Sequence, residues 1–145
     1  MTRFTCPDPQ DTKNAGGWLA PRLSPGDLVL LEGELGAGKT TFVRGVAEAL
    51  GWTGRLRSPT FSLLQTIPTS PPLLHADLYR VSSLEGLGLE DYLDTHACLV
   101  EWPDRAPGLG ATWNVMIAVR PEGRVIEITH AATRRADGKE APPRP

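Results

Sequence analysis

Gly33-Glu34-Leu35-Gly36-Ala37-Gly38-Lys39-Thr40 fits the pattern GxxxxGK[ST] at every fixed position, and its neighbours restrict what the chain can fold into. Before it stands Leu28-Val29-Leu30-Leu31, a continuous apolar run that suits a strand buried on both faces. After it, Val43, Val46, Ala47 and Leu50 follow helical spacing, and Gly51 sits where a left-handed cap is favoured. The reading is a strand, a glycine loop and a helix. In that setting the glycines let backbone N–H groups turn inward toward phosphate oxygens, and the helix adds unpaired N-terminal donors and its positive dipole end. Lys39 is expected to reach the β- and γ-phosphates, and the Thr40 hydroxyl is placed to ligate Mg²⁺.

Two further apolar runs, Leu73-Leu74-His75-Ala76-Asp77 and Ala97-Cys98-Leu99-Val100-Glu101, each end in a carboxylate and read as central strands. Phe61 to Ile67 reads as another strand, after a loop holding Ser58-Pro59-Thr60 and before the proline-rich connection Pro68 to Pro72. A helix is expected around Asp11 to Arg22, with Trp18 and Leu19 as its main apolar residues. Ser82 or Ser83 can cap a short helical stretch through Leu87, followed by a turn around Leu89 to Leu93. Downstream, Trp113, Val115, Ile117 and Val119 alternate up to Arg120, and Pro121-Glu122-Gly123 turns the chain into Arg124 to Thr129, a hairpin closing the sheet. The expected fold is α/β and P-loop NTPase-like: a mainly parallel central sheet flanked by helices, with a C-terminal β-hairpin. Residues 1–135 would form one domain. Residues 136–145 hold three prolines and almost no apolar bulk, so a disordered tail is expected there.

Composition narrows the function classes. In 145 residues, 15 Lys plus Arg oppose 17 Asp plus Glu, so no strong global field draws the chain to nucleic acid. Any RNA contact would be local or shared. The longest wholly aliphatic run is Leu28 to Leu31, whereas a spanning helix needs about 20 apolar residues. Residues 1–8 lack the apolar core of a secretory signal, which makes the cytoplasm the expected address. Cys6 and Cys98, without a CxxC motif, read as two reduced thiols. His75, His96 and His130 are scattered, without the spacing of a zinc site.

A nucleotide hydrolase of this kind also needs an acid at the end of a neighbouring strand, to hold the metal's water shell or orient the attacking water. Asp77 and Glu101 both qualify, at the carboxyl edge of the sheet. The plainer alternative is that one of them caps a turn or pairs with Arg80 or Arg105. Thr60, in a proline-pinned loop, either senses the γ-phosphate or belongs to a surface turn with Phe61 packed inward. Trp102 either stacks on a base or partner or packs in the core. Arg80 and Arg105 are candidate phosphate contacts.

Four blocks in one order carry a family resemblance: the stretch from Gly33 to Gly45, Ser58-Pro59-Thr60-Phe61, His75-Ala76-Asp77-Leu78-Tyr79-Arg80, and Val100-Glu101-Trp102-Pro103. In them the chain resembles the TsaE (YjeE) family, bacterial P-loop ATPases of tRNA threonylcarbamoyladenosine synthesis, and the likeness covers nearly its whole length. The resemblance implies ATP and Mg²⁺ as cofactors, with Gly33, Glu34, Leu35, Gly36, Ala37, Gly38, Lys39, Thr40 and Thr41 around the nucleotide. Thr40 and Glu101 match metal-binding positions, with Asp77 also at the active site. Thr12, four residues before Gly16, looks like the family's N-terminal threonine near the nucleotide, although Ala15 stands where that pattern has leucine. Family members also use a basic residue near the C-terminal strand, for which Arg134 or Arg135 are the candidates.

The implied partners are TsaD and TsaB, which transfer the threonylcarbamoyl group to the adenosine next to the anticodon of ANN-decoding tRNAs. By this likeness the chain meets tRNA mainly through that complex, and its hydrolysis resets the transferase between turnovers. Two other readings use the same loop: a small-molecule P-loop kinase, and a nucleotide-sensing module with negligible hydrolysis. Against the kinase, the segment between the two acidic strand ends is short and glycine-broken, with little room for an arginine-bearing lid. The guanine-reading pattern Asn-Lys-x-Asp occurs nowhere in the chain, which favours ATP over GTP.

Overall fold

The computed structural model describes residues 1–56, 64–79, 88–103 and 110–131. Within them lie seven strands, β1 (Thr2–Cys6), β2 (Leu28–Glu32), β3 (Leu64–Ile67), β4 (Leu73–Asp77), β5 (Ala97–Glu101), β6 (Trp113–Arg120) and β7 (Gly123–His130). The helices are α1 (Pro9–Leu19) and α2 (Lys39–Ala49), with short 3-10 turns at Ala20–Arg22 and Leu89–Asp91. One sheet takes all seven strands in the order β1-β7-β6-β2-β5-β4-β3.

The sheet is mixed, which corrects the expectation of a mainly parallel one. β2 lies parallel to both β5 and β6, and β4 parallel to β5. The outer pairings β1 with β7, β6 with β7 and β3 with β4 are antiparallel. Connection length is the cause: a parallel neighbour needs a crossover of a dozen or more residues, and the links from β3 to β4 and from β6 to β7 are far too short. A second correction concerns the edge. The hairpin does not close the sheet, because β1 adds outside β7 with Thr2 opposite Ile128 and Cys6 opposite Arg124. Alternating exposure along Thr-Arg-Phe-Thr-Cys is a weak strand signal, and its partner lies at the far end of the chain.

The apolar runs at Leu28–Leu31, Leu73–Ala76 and Ala97–Val100 are buried throughout, as strands covered on both faces must be. Their alternate residues divide between two clusters. Val29, Leu31, Leu73, Ala97 and Leu99 pack with α1 and α2, while Leu28, Leu30, Leu74, Ala76, Cys98 and Val100 pack with Leu78 and Leu89. Both described helices therefore cover one face. Cys6 and Cys98 are buried free thiols in different clusters, and burial pushes the Cys98 thiol up to about 11. No helix among the described residues is long and apolar enough to cross a membrane.

Helix α1 starts two residues before the expected Asp11. Asp8 is its N-cap, accepting a hydrogen bond from the Asp11 N–H at 3.0 Å, while the Asp11 side chain returns to the Asp8 N–H. Leu19 is fully buried, and Trp18 packs edge-on against Phe4 and Trp113, tying the helix to β1 and β6.

The two helices cross at very short range. A Cβ at Gly45 would lie 2.2 Å from the Lys13 carbonyl oxygen, and one at Gly16 would lie 2.4 Å from that of Phe42. Backbone atoms cannot yield to either. Gly45→Ala is thus expected to lower unfolding stability by about 1–3 kcal/mol, even though alanine favours a helix by about 1 kcal/mol over glycine. A urea midpoint equal to or above that of the parent chain would contradict this close approach. The segments expected as a switch loop (58–61), a capped helical stretch (82–87) and a tail (136–145) lie outside the described residues.

Candidate active site

The cleft's carboxylates come from the carboxyl ends of parallel strands, and its lysine and hydroxyl from the start of one helix. β2 ends at Glu32, and the loop 33–38 leads into α2 at Lys39. Gly38 takes φ 110°, left-handed backbone that a side chain disfavours, and α2 begins there with no side-chain cap. A helix start without a side-chain cap leaves its first N–H groups for an anion.

Lys39 opens α2 and is 5% exposed. Its Nζ donates to the Gly33 carbonyl at 2.5 Å and to the Glu34 carbonyl at 3.2 Å, and lies 3.7 Å from the centre of the Trp102 ring. Two neutral carbonyls and an aromatic face thus meet the ammonium at the mouth of the loop. Trp102 is the only described non-glycine residue with positive φ, at 62°. It follows Glu101 directly, and its ring also meets Tyr79 with centroids 4.9 Å apart. Trp102 meets both descriptions: it is half-buried and packs against the cluster of Leu74, Ala76 and Val100, and it also lines the cleft beneath Lys39.

Thr40, one residue on, points its hydroxyl at the end of β5. Thr40 Oγ1 donates to Glu101 Oε2 at 2.9 Å, and His75 Nε2 lies 2.5 Å from the same oxygen. Register sets Asp77 directly beside Glu101 across the β4–β5 pair. Asp77 Oδ1 accepts the Tyr79 N–H at 3.1 Å. Burial pushes the Asp77 carboxyl above the ordinary carboxylate range, the Glu101 charge adds to this, and the Tyr79 N–H works against it. These groups surround a cleft of about 550 Å³ lined by residues 35–41 with Asp77, Tyr79, Glu101 and Trp102.

The raised Asp77 value carries a sign for stability. The folded chain holds this proton more tightly than the unfolded chain, so stability is lost as pH rises from about 3.9 through the folded value. At neutral pH the ionised side chain opposes folding. Asp77→Asn keeps an acceptor for Tyr79 and removes the charge, so its thermal midpoint at neutral pH should exceed that of the parent. The gap should narrow in acid, below both values; equal midpoints at neutral pH would refute the assignment.

A second cavity of about 280 Å³ lies on the other side of the loop, between it and the start of α1. Thr12 is buried there, with its methyl carbon 3.7 Å from the place a Cβ would take on Gly38. Thr41 lines both cavities. Arg124, at the start of β7, donates from Nε to the Ala37 carbonyl at 2.9 Å and from Nη2 to that of Gly36 at 3.3 Å. Sequence reading missed it, because a single basic residue after a turn has no motif around it. It also read His75 only as a scattered histidine and a member of a family block, although the two-residue step from His75 to Asp77 places both on one face of a strand.

The structure therefore brings Lys39, Thr40, Thr41, Asp77, Glu101 and Trp102 to one cleft and Thr12 behind its loop. Leu35 stands exposed at the loop tip. Thr60, Arg80, Arg105, Arg134 and Arg135 lie outside the described residues. The donor set of one hydroxyl and two carboxylates is all oxygen, which fits a hard divalent cation such as Mg²⁺.

Comparison with known proteins agrees on one family. The family profile described as "Threonylcarbamoyl adenosine biosynthesis protein TsaE" matches residues 6–135. The TsaE protein of Bacillus subtilis is 45% identical over 98 residues, covering 66% of this chain and 62% of that protein, so the match spans a little under two thirds of its length. The TsaE protein of a Nostoc species is 39% identical over 139 residues, covering 89% of this chain and 86% of its own. Both are named as tRNA threonylcarbamoyladenosine biosynthesis proteins. The crystal structure of YdiB from Bacillus subtilis aligns with a TM-score of 0.71 at 33% identity, over 89% of this chain and 83% of that one. With the glycine loop and both strand-end carboxylates inside the matched span, the chain belongs to the TsaE family of tRNA threonylcarbamoyladenosine biosynthesis proteins.

Proposed function

We propose that this chain is a Mg²⁺-dependent ATPase with a P-loop NTPase-like fold, whose hydrolysis drives turnover of a TsaD–TsaB transferase complex. One observation carries the reading: Lys39, Thr40, Asp77 and Glu101 meet at the uncapped start of α2. That is the set a triphosphate and its cation require.

The chain's own residues would divide the work as follows. The N–H groups of the loop and of the first turn of α2 bind phosphate oxygens. Lys39 exchanges two loop carbonyls and the Trp102 ring for the β- and γ-phosphates, a stronger partner for an ammonium than neutral dipoles. Thr40 and Glu101 would hold the cation, with Asp77 beside them to orient the attacking water. Bound there, Mg²⁺ would offset the charge that develops on the β- and γ-oxygens as the terminal bond breaks. Arg124 keeps the loop's shape from behind through the Gly36 and Ala37 carbonyls. A γ-phosphate would favour one arrangement of the site and its partners, and hydrolysis would release it. Contact with tRNA would run mainly through the partners, in keeping with a formal charge of −2.

The deciding experiment is phosphate release from ATP by the purified chain, alone and with TsaD and TsaB, followed in parallel with repeated rounds of tRNA modification. Stimulated release together with multiple rounds supports the reading. Tight nucleotide binding without release would point to a sensing module, and release only in the presence of a small acceptor would point to a kinase.

A further inference from the structure

The β4 strand delivers more to the site than Asp77. Residues two apart on a strand share a face, and Leu73, Ala97 and Leu99 pack in the cluster under α1 and α2. His75 and Asp77 on β4 and Glu101 on β5 are in phase with them, so all three lie on the α2 side of the sheet. His75 is buried, 6% exposed, in the middle of its strand. A buried imidazole must place its polar atoms, and this one places Nε2 on Glu101 Oε2 at 2.5 Å.

With Glu101 Oε2 as the acceptor, the ring proton of this bond sits on Nε2. The same Oε2 takes the Thr40 hydroxyl at 2.9 Å. Two donors from different elements, a strand and a helix start, thus converge on one oxygen of Glu101. They are not equivalent partners. Thr40 is itself a candidate metal ligand, and a hydroxyl oxygen turned to a cation changes its partners when one arrives. The imidazole is fixed in the core by its own strand and has no such second task.

We propose that His75 is a positioning residue for Glu101: its Nε2–H holds the carboxylate in the orientation that faces Thr40, ready for the reaction proposed above. The catalytic meaning of this contact rests on the ATPase reading, whereas the contact itself does not. A histidine that served only to fill the core would affect stability and leave the carboxylate's work unchanged.

Two measurements test this on the full chain. The first is a proton–nitrogen correlation spectrum of the histidine rings without nucleotide or metal, with the His75 signals assigned by their loss in His75→Gln. His75 should show the Nε2–H form, and its ring nitrogens should shift in Glu101→Ala. An Nδ1–H ring, or ring signals indifferent to Glu101→Ala, would overturn the proposal. The second compares His75→Leu with His75→Gln in ATP turnover, alongside their thermal midpoints. His75→Leu should lower kcat by about 10- to 100-fold with the KM for ATP little changed, and His75→Gln, which retains an N–H donor, should recover much of the loss. If His75→Leu fails to fold, the ring spectrum and the glutamine variant still decide. A parent chain that turns over while His75→Leu matches it would overturn the positioning role alone. A parent chain with no turnover, either alone or with TsaD and TsaB, would overturn the ATPase reading and the positioning role together, even with the Nε2–H bond present.

Discussion

Lys39→Ala should reduce ATP turnover by about 10²-fold or more and weaken triphosphate binding, the loss found when a donor aimed at developing charge is removed. The geometry explains why no neighbour replaces it. Lys39 is almost wholly enclosed, and its ammonium reaches Gly33, Glu34 and the Trp102 ring from the first position of α2. Arg124 also approaches the loop, but its guanidinium is spent on the carbonyls of Gly36 and Ala37 from the opposite side. Some loss of stability will accompany the change, since the Gly33 and Glu34 carbonyls lose a charged donor. Phosphate release should therefore be measured well below the thermal midpoint of the variant. Near-parental turnover under those conditions would remove the loop from the mechanism.

For Glu101→Ala the expected result is a split: turnover falls by about 10²-fold, while binding of a non-hydrolysable ATP analogue falls much less. Glu101 is 3% exposed at the end of the central strand β5 and bonds directly to Thr40, whereas Asp77 is only half-buried. The phosphates, by contrast, would be held chiefly by Lys39 and by backbone N–H groups that the substitution leaves in place. The variant should also be less stable than its parent by about 1–3 kcal/mol, because His75 Nε2 is left buried without its acceptor. Calorimetric binding beside steady-state phosphate release separates the two effects. If Glu101→Ala keeps its rate and removal of the Asp77 carboxylate abolishes it, the ranking of the two carboxylates is reversed.

Local pattern made much of this site legible. The apolar runs of β2, β4 and β5 end where expected because a strand covered on both faces must be apolar throughout and stops at its first charge. The glycine loop and the start of α2 were set by residue types that few other conformations accept. Alternation along β6 and a Gly123 turn marked the hairpin for the same reason.

Where sequence reading failed, the information lay in pairing between distant segments. β1 is a strand only because β7 offers it an edge, and Arg124 touches the loop only because that edge brings residue 124 beside residues 36 and 37. The close crossing of α1 and α2 gives Gly16 and Gly45 their purpose, which no single helix reveals.

Residue order along the chain already supplied the site's parts: a GxxxxGK[ST] glycine loop, a hydroxyl after its lysine, and two carboxylates at strand ends. Residue type and spacing over a few positions are enough for that, since backbone conformation and periodicity are local properties. Only the assembled fold brings Thr40, His75 and Glu101 to one oxygen, sets Trp102 beneath Lys39 and pairs β1 with β7. Those facts depend on strand order and register, which are chosen by the burial of two whole faces at once and by the lengths of the connections between strands.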